Sequence, residues 1–165
     1  MRTSADAPVL RATGYDDPVA AQLVEAVQQE YVVRYGGRDA MTVDPGEVLP
    51  PRGLFLVAEL GGRPAGCGGW RLQAPGVVER KRMYVAPWAR RRGVAAAVLA
   101  ELERTAAAAG HTRVVLNSGD RQPEALALYA RAGYTPVAGY GVYDGAPEAV
   151  FLGRELPGPP ESEVS

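Results

Sequence analysis

Met83-Tyr84-Val85-Ala86-Pro87-Trp88-Ala89-Arg90-Arg91-Arg92-Gly93-Val94-Ala95 reads as a strand that turns, through a proline and three consecutive arginines, into an alanine-rich helix. On the near side, Val77 to Val85 has strand character and is ended by Ala86 and Pro87, although its apolar and polar residues alternate poorly. On the far side, Val94, Val98, Leu102 and Ala106 fall on one helical stripe, alanines fill the rest, and Gly110 is a natural stop. The first turn of a helix carries unpaired N–H groups and the positive end of the dipole, so its amides can cradle a diphosphate. Gly93 and the small Ala95 would admit oxygens close to the backbone, and the arginines would add charge-assisted bonds. Three arginines at a helix N-terminus oppose the dipole, and an anionic partner removes the conflict; the alternative is an ordinary solvated basic turn. Neither G-x-x-x-x-G-K-S/T nor a G-x-G-x-x-G after a strand is present, so nucleoside triphosphate and dinucleotide readings lose ground.

Outward from this segment, Val9 to Thr13 reads as a short strand. The run Asp17 to Tyr35 repeats apolar residues at helical spacing (Ala20, Leu23, Val24, Val27, Tyr31), with Asp16 or Asp17 as cap and Pro18 in the first turn. Gly36 to Gly53 is rich in Gly, Pro and Asp and predicts a long loop with a short helical turn, a length that often carries function. Leu54 to Leu60 and Pro64 to Leu72 form a hairpin through Gly61, Gly62 and Arg63. Beyond the long helix, Arg113 to Asn117 is a buried-type strand, and Pro123 to Ala132 is a helix begun by proline and stopped by Gly133. Tyr134 to Tyr140 and Glu148 to Arg154 predict a closing strand pair around a turn at Asp144 and Gly145. Residues 1–156 are expected to form a single domain, and the Pro, Gly, Glu and Ser of 157–165 a disordered tail. The order predicts an α+β (mixed α/β) fold, helices on a central, mostly antiparallel sheet, with only the strands joined by the long helix running parallel.

Bulk properties narrow the classes. A chain of 165 residues with 47% hydrophobic and 22% charged residues can bury a core without disulfides, and no apolar run approaches a membrane span. The N-terminus lacks the basic and apolar regions of a secretory signal, so a cytoplasmic location is expected. The single cysteine, Cys67, can form neither an internal disulfide nor a zinc site alone, and no metal is expected; it reads as a small buried strand residue. A net charge of −1 argues against nucleic-acid binding, which would have to rest locally on Arg80, Lys81, Arg82 and Arg90 to Arg92.

The motif Arg90-Arg91-Arg92-Gly93-Val94-Ala95 matches every specified position of R/Q-x-x-G-x-G/A. Downstream, Leu128-Tyr129-Ala130-Arg131-Ala132-Gly133-Tyr134 matches L-Y-x-x-x-G-F/Y at the end of a helix. With these two landmarks and the order of elements from Val9 to Arg154, the chain resembles the GNAT N-acetyltransferases. The resemblance implies a sheet whose one parallel strand pair splays apart to admit the pantetheine arm of acetyl-coenzyme A. It implies that the backbone of Met83, Tyr84 and Val85 bonds that arm, that Arg90, Arg91, Arg92, Gly93, Val94 and Ala95 hold the pyrophosphate, and that Asn117 faces the gap. Asn117 can also be read as a strand-ending turn residue. Tyr129 would be the general acid that protonates the departing thiolate, since a phenol of pKa about 10 keeps its proton at neutral pH; its other reading is a core aromatic. Glu79, eleven residues before Arg90, stands where some members carry a glutamate general base, and alternatively pairs with Arg80, Lys81 or Arg82.

Direct attack of an amine on the thioester needs no enzyme nucleophile, which agrees with the lack of a Cys/His or Ser/His arrangement. The acceptor would be a small-molecule amine or a peptide amine, held by a monomer or homodimer. Tyr31, Tyr35, Trp70, Tyr140 and Tyr143 are candidates to line its pocket, or are ordinary core and rim aromatics. A non-catalytic acyl-coenzyme A sensor or partner-binding module remains the alternative. His111, just past Gly110, reads as a surface turn residue.

Overall fold

A computed structural model describes residues 7–157, so the tail expected to be disordered lies outside them from residue 158 on. Its strands are β1 (Val9–Ala12), β2 (Gly53–Leu60), β3 (Arg63–Ala74), β4 (Val77–Val85), β5 (Arg113–Gly119), β6 (Thr135–Pro136) and β7 (Ala149–Glu155). The α-helices are α1 (Pro18–Tyr35), α2 (Val94–Ala108) and α3 (Pro123–Arg131). The strands form one sheet in the order β1-β2-β3-β4-β5-β7-β6. Every neighbouring pair is antiparallel except β4 and β5, which α2 joins as a crossover.

Alternation along the strands divides the core between the two faces of the sheet. Leu56, Ala58 and Leu60 of β2 join Val98, Leu99 and Leu102 of α2 and Tyr129 of α3 on one face. Phe55 and Val57 meet Ala20, Leu23 and Val27 of α1 on the other. Each large apolar side chain buried in this way contributes about 1.5–3 kcal/mol. The α2 helix lies directly on β3 because Gly68 has no side chain: a Cβ there would come 2.9 Å from Val98 Cγ1. Helix α1 starts where the Asp17 carboxylate accepts bonds from Val19 and Ala20 amides, with Pro18 at its first position.

The poor alternation of β4 has a structural cause. Between the pairs Cys67↔Tyr84 and Gly69↔Lys81, β4 spends one residue more than β3, and Arg82 takes the left-handed conformation with φ 57°. Up to the bulge the pattern is regular, with Val78 on the α2 face. At the bulge the phase slips, so Lys81 and Arg82, consecutive in sequence, both reach Asp39. Beyond it, Met83 packs on the α2 side and Tyr84 on the α1 side. Cys67, opposite the bulge, is fully buried, and its thiol donates to the Arg82 carbonyl at 3.3 Å.

Two expectations change. The strand read from Tyr134 to Tyr140 shrinks to β6, because Pro136 has no amide to extend a ladder; one further bond, Val137 N–H to Phe151 O, follows before the chain leaves the sheet. Arg80, Lys81 and Arg82 are 6%, 6% and 4% exposed, so they form no exposed basic strip.

Candidate active site

The site begins where β4 and β5 part. They share register at Val77↔Arg113, Val78↔Val114 and Glu79↔Val115, after which β4 stays with β3 and β5 stays with β7. A cleft of about 550 Å³ opens at this gap. Met83, Tyr84 and Val85 line it from β4, Arg90, Arg91, Gly93, Val94 and Ala95 from the turn and α2, Asn117 from β5 and Tyr129 from α3. Residues read as cofactor-binding thus come together, except Arg92, which is not part of this lining. The Val94 side chain is 1% exposed in the core, so its contribution to the cleft is its backbone.

At the mouth of the cleft Gly93 caps α2 with φ 80° and ψ 10°, a left-handed conformation that suits glycine, and Arg91 sits at φ 65°. No side chain caps the first-turn amides, and no acidic residue lies in that turn. Amides with no intrahelical partner, at the positive end of a 15-residue helix, fit a diphosphate, and the cleft leading from them to Tyr129 fits the coenzyme A arm. Arg90 donates from Nε to the Val85 carbonyl at 3.2 Å and pairs with Glu30 of α1, which fixes the turn against both elements. Glu30 carries no motif and lies sixty residues away, so only the fold brings it into view.

Tyr129 is 2% exposed, with its ring 5.8 Å from Tyr134 and the Arg80 guanidinium 5.3 Å above it. Burial raises its pKa above the ordinary phenol value, with Arg80 acting in the opposite sense, so the hydroxyl keeps its proton at neutral pH.

Glu79 is 2% exposed and lines neither this cleft nor the cavity described next. Its Oε1 accepts from Arg71 Nε at 3.0 Å and Lys81 Nζ stands 4.0 Å from Oε2, so the ion-pair reading of Glu79 describes its contacts. Oε2 itself is buried without a hydrogen-bond partner, as is the Tyr140 hydroxyl. Burial and then the nearby Glu79 carboxylate raise the Tyr140 pKa. Arg71 also reaches Glu47 at 3.1 Å, and Asp39 Oδ2 accepts from Arg82 at 2.5 Å with Lys81 3.5 Å away. Burial works to raise the Asp39 pKa, but Lys81 and Arg82 outweigh it and hold the carboxyl below its ordinary value.

A second cavity, about 340 Å³, lies on the other side of Asn117, which lines both, as does Tyr31. Tyr31, Tyr35 and Tyr143 face it with Asp39, Gln122 and Glu148. Burial pushes the Tyr31 phenol up to about 12. The Tyr143 hydroxyl accepts from the Ala40 amide at 2.7 Å and donates to Asp39 at 2.9 Å, closing the loop after α1 onto the turn before β7. Tyr35 accepts from the Arg121 amide at 3.1 Å. Tyr140 packs edge-on against Phe151 and lines neither cavity. Trp70 is a correction: it is 3% exposed on the α2 face, donates from Nε1 to Thr105 Oγ1 at 3.0 Å, and meets the His111 ring at 5.3 Å. Strand parity places it in the core, and nothing at the level of a single aromatic residue distinguishes that from a pocket wall.

The model of the Acetyltransferase (GNAT) family matches residues 20–134, from α1 through the Tyr129 helix. The chain belongs to this family. It is 30% identical over 149 residues to an IAA acetyltransferase of Azospirillum brasilense, covering 90% of this chain and 97% of that one. A Klebsiella pneumoniae structure described as a candidate acyl-CoA N-acyltransferase superposes with TM-score 0.76 at 26% identity, over 92% of this chain and 99% of the other. The PaiA N-acetyltransferase of Thermoplasma acidophilum, solved in complex with coenzyme A, shares the fold with TM-score 0.68 at 14% identity, over 90% and 99% of the two chains. No helix among the described residues is long and apolar enough to cross a membrane.

Proposed function

We propose that this GNAT acetyltransferase transfers an acetyl group from acetyl-coenzyme A to a primary amine by direct attack. The observation that carries the reading is the uncapped N-terminus of α2, with left-handed Gly93, opening onto a cleft that ends at buried Tyr129. When bound, the cofactor supplies an activated thioester and a thiol leaving group. The amides of Gly93, Val94 and Ala95 hold its diphosphate, with Arg90 and Arg91 adding charge, and the free backbone of β4 beyond Glu79 lies open to its arm. Tyr129 Oη holds the proton that the departing sulfur takes up. Glu79, whose Oε1 is committed to Arg71 and which lines neither cavity, would act as base only at one remove, through a water chain from the acceptor to Oε2. The acceptor enters through the cavity of Tyr31, Tyr35 and Tyr143, whose rings suit a group that is apolar and cationic.

Incubation with acetyl-coenzyme A and a panel of amines, followed by chromatography of released coenzyme A and acetylated product, tests this directly. Transfer to at least one amine is the expected result. Calorimetry that detects no coenzyme A binding overturns it. A second reading, acyl-coenzyme A sensing without transfer, draws on the isolation of Glu79 from both cavities. Tight cofactor binding with no turnover on a broad panel would favour that reading instead.

A further inference from the structure

On the α1 side of the sheet, the buried charges of β4 and their neighbours balance. Arg71, Lys81 and Arg82 face Glu47, Glu79 and Asp39, every cation within ion-pair reach of a carboxylate. Arg80 does not belong to that set. It lies on the opposite side of β4, at the mouth of the β4–β5 gap, and no carboxylate among the described residues comes within ion-pair distance of it. It is 6% exposed; its Nε–H is buried and bonded to nothing, and Nη2 reaches the Asn117 carbonyl only at 3.4 Å. A guanidinium offers five donors, and burying one without a counter-charge is strongly unfavourable.

An anion that enters the cleft would relieve this cost, and Arg80 lines the cleft where it can meet one. Its place is also defined. Arg80 lines the cofactor cleft, with Tyr129 and Asn117, and does not line the acceptor-side cavity. The diphosphate belongs at Gly93, at the other end of the same cleft, where Arg90 and Arg91 serve it. A cofactor whose diphosphate sits at Gly93 would bring its acyl end toward Tyr129 and Arg80.

We propose that the acyl group this cleft prefers carries a terminal carboxylate, bound by the Arg80 guanidinium in the gap between β4 and β5. The preferred donor is then a dicarboxylic acyl-coenzyme A of malonyl or succinyl size, with acetyl turned over more slowly. The inference rests on the acyl-coenzyme A reading of the cleft and changes only the acyl group. An amine nitrogen to acyl carbon bond replaces the acyl carbon to sulfur bond, one proton leaves the amine and one reaches the sulfur, and no other reactant is needed. A cation already desolvated in the cleft gains a charge-assisted, bidentate partner from such a donor and gains nothing from a methyl group.

The test compares kcat/KM for acetyl-, butyryl-, malonyl- and succinyl-coenzyme A on one amine, for the wild type, Arg80→Met and Arg80→Lys. The wild type should favour malonyl or succinyl over butyryl by at least about tenfold, as one charge-assisted bond at a desolvated site provides. Arg80→Met should abolish that preference, and Arg80→Lys should restore part of it. Equal or better use of butyryl by the wild type overturns the proposal, and this arm does not depend on any variant folding. So does a loss in Arg80→Met that is uniform across donors, or a preference that follows a carboxylate on the acceptor amine. Calorimetry with coenzyme A separates the two levels: binding without donor selectivity removes this inference alone, whereas absent binding removes the reading of the cleft on which it rests.

Discussion

Where α2 begins, the cleft between β4 and β5 takes its shape from the main chain: the left-handed turn at Gly93, the uncapped amides of α2 and the strand edges freed where the two strands separate. The cavity across Asn117 takes its shape from side chains that α1, the loop after it, β5 and the turn before β7 deliver from far apart in sequence. Backbone geometry depends on a few glycines and a crossover, so many sequences can build the first region. Side-chain geometry depends on each identity, so the second is where members of one fold can differ in what they accept. The difference implies that substitutions in the two regions should separate cofactor affinity from acceptor use, and four variants test whether they do.

The largest effect is expected at Tyr129, buried in the lining of the cleft between β4 and β5. Tyr129→Phe should lower kcat by about 10²–10⁴-fold, the usual reach of a positioned general acid, while calorimetric affinity for coenzyme A stays near wild type. Wild-type turnover in this variant would remove Tyr129 from proton transfer. Next, Asp39→Asn takes the counter-charge from Lys81 and Arg82 in the wall of the side-chain cavity, and should cost about 3–5 kcal/mol in denaturant unfolding at neutral pH. The sign of its pH dependence follows from a folded pKa held low: the carboxylate's contribution is fully present above the unfolded value of about 3.9 and is lost as pH falls through the folded value. Wild-type and variant stabilities should therefore converge on acidification, and curves that stay parallel would show that the charge is not what stabilises the wall.

Gly93→Val challenges the main-chain region with a β-branched residue at φ 80°. Coenzyme A affinity should weaken by about ten- to a hundredfold, the worth of one or two amide bonds to a charged group, with the acceptor KM unmoved at saturating cofactor. A larger change in acceptor KM than in cofactor affinity would break the division between the regions. The smallest effect is expected for Glu30→Gln, which frees Arg90 from a half-exposed pair and removes a negative charge beside the proposed diphosphate site. Coenzyme A should bind more tightly by no more than about fivefold, and the gain should shrink with added salt.

Legibility in the sequence follows the same division. The hairpin, the long helix, the parallel crossover and the arginine-rich turn before α2 were readable because local rules produce them: glycine at a turn, an apolar stripe on a helix, proline at a helix start. Their bounds agree with β2, β3, β4 and α2 to within a residue or two. The far pair was half readable: β7 was visible as a strand, but Pro136 hid how little of its partner could pair. Glu79 could not be settled, because whether a carboxylate on β4 meets substrate or Arg71 depends on which residue β3 sets opposite it, and Arg71 is the cross-strand partner. Nor could the roles of the arginines on β4 be told apart. A one-residue bulge sends Lys81 and Arg82 together to Asp39 and leaves Arg80 on the other side, and no periodicity announces a bulge before the strand is seen in register.

Cys67, the chain's sole sulfhydryl, sits wholly inside the sheet with burial holding it in its protonated, unreactive form. Native protein should accordingly be silent to chromogenic disulfide reagents. Colour that develops in a transferase assay can be credited to product stoichiometrically, and colour that develops in the enzyme blank becomes a built-in alarm for denaturation.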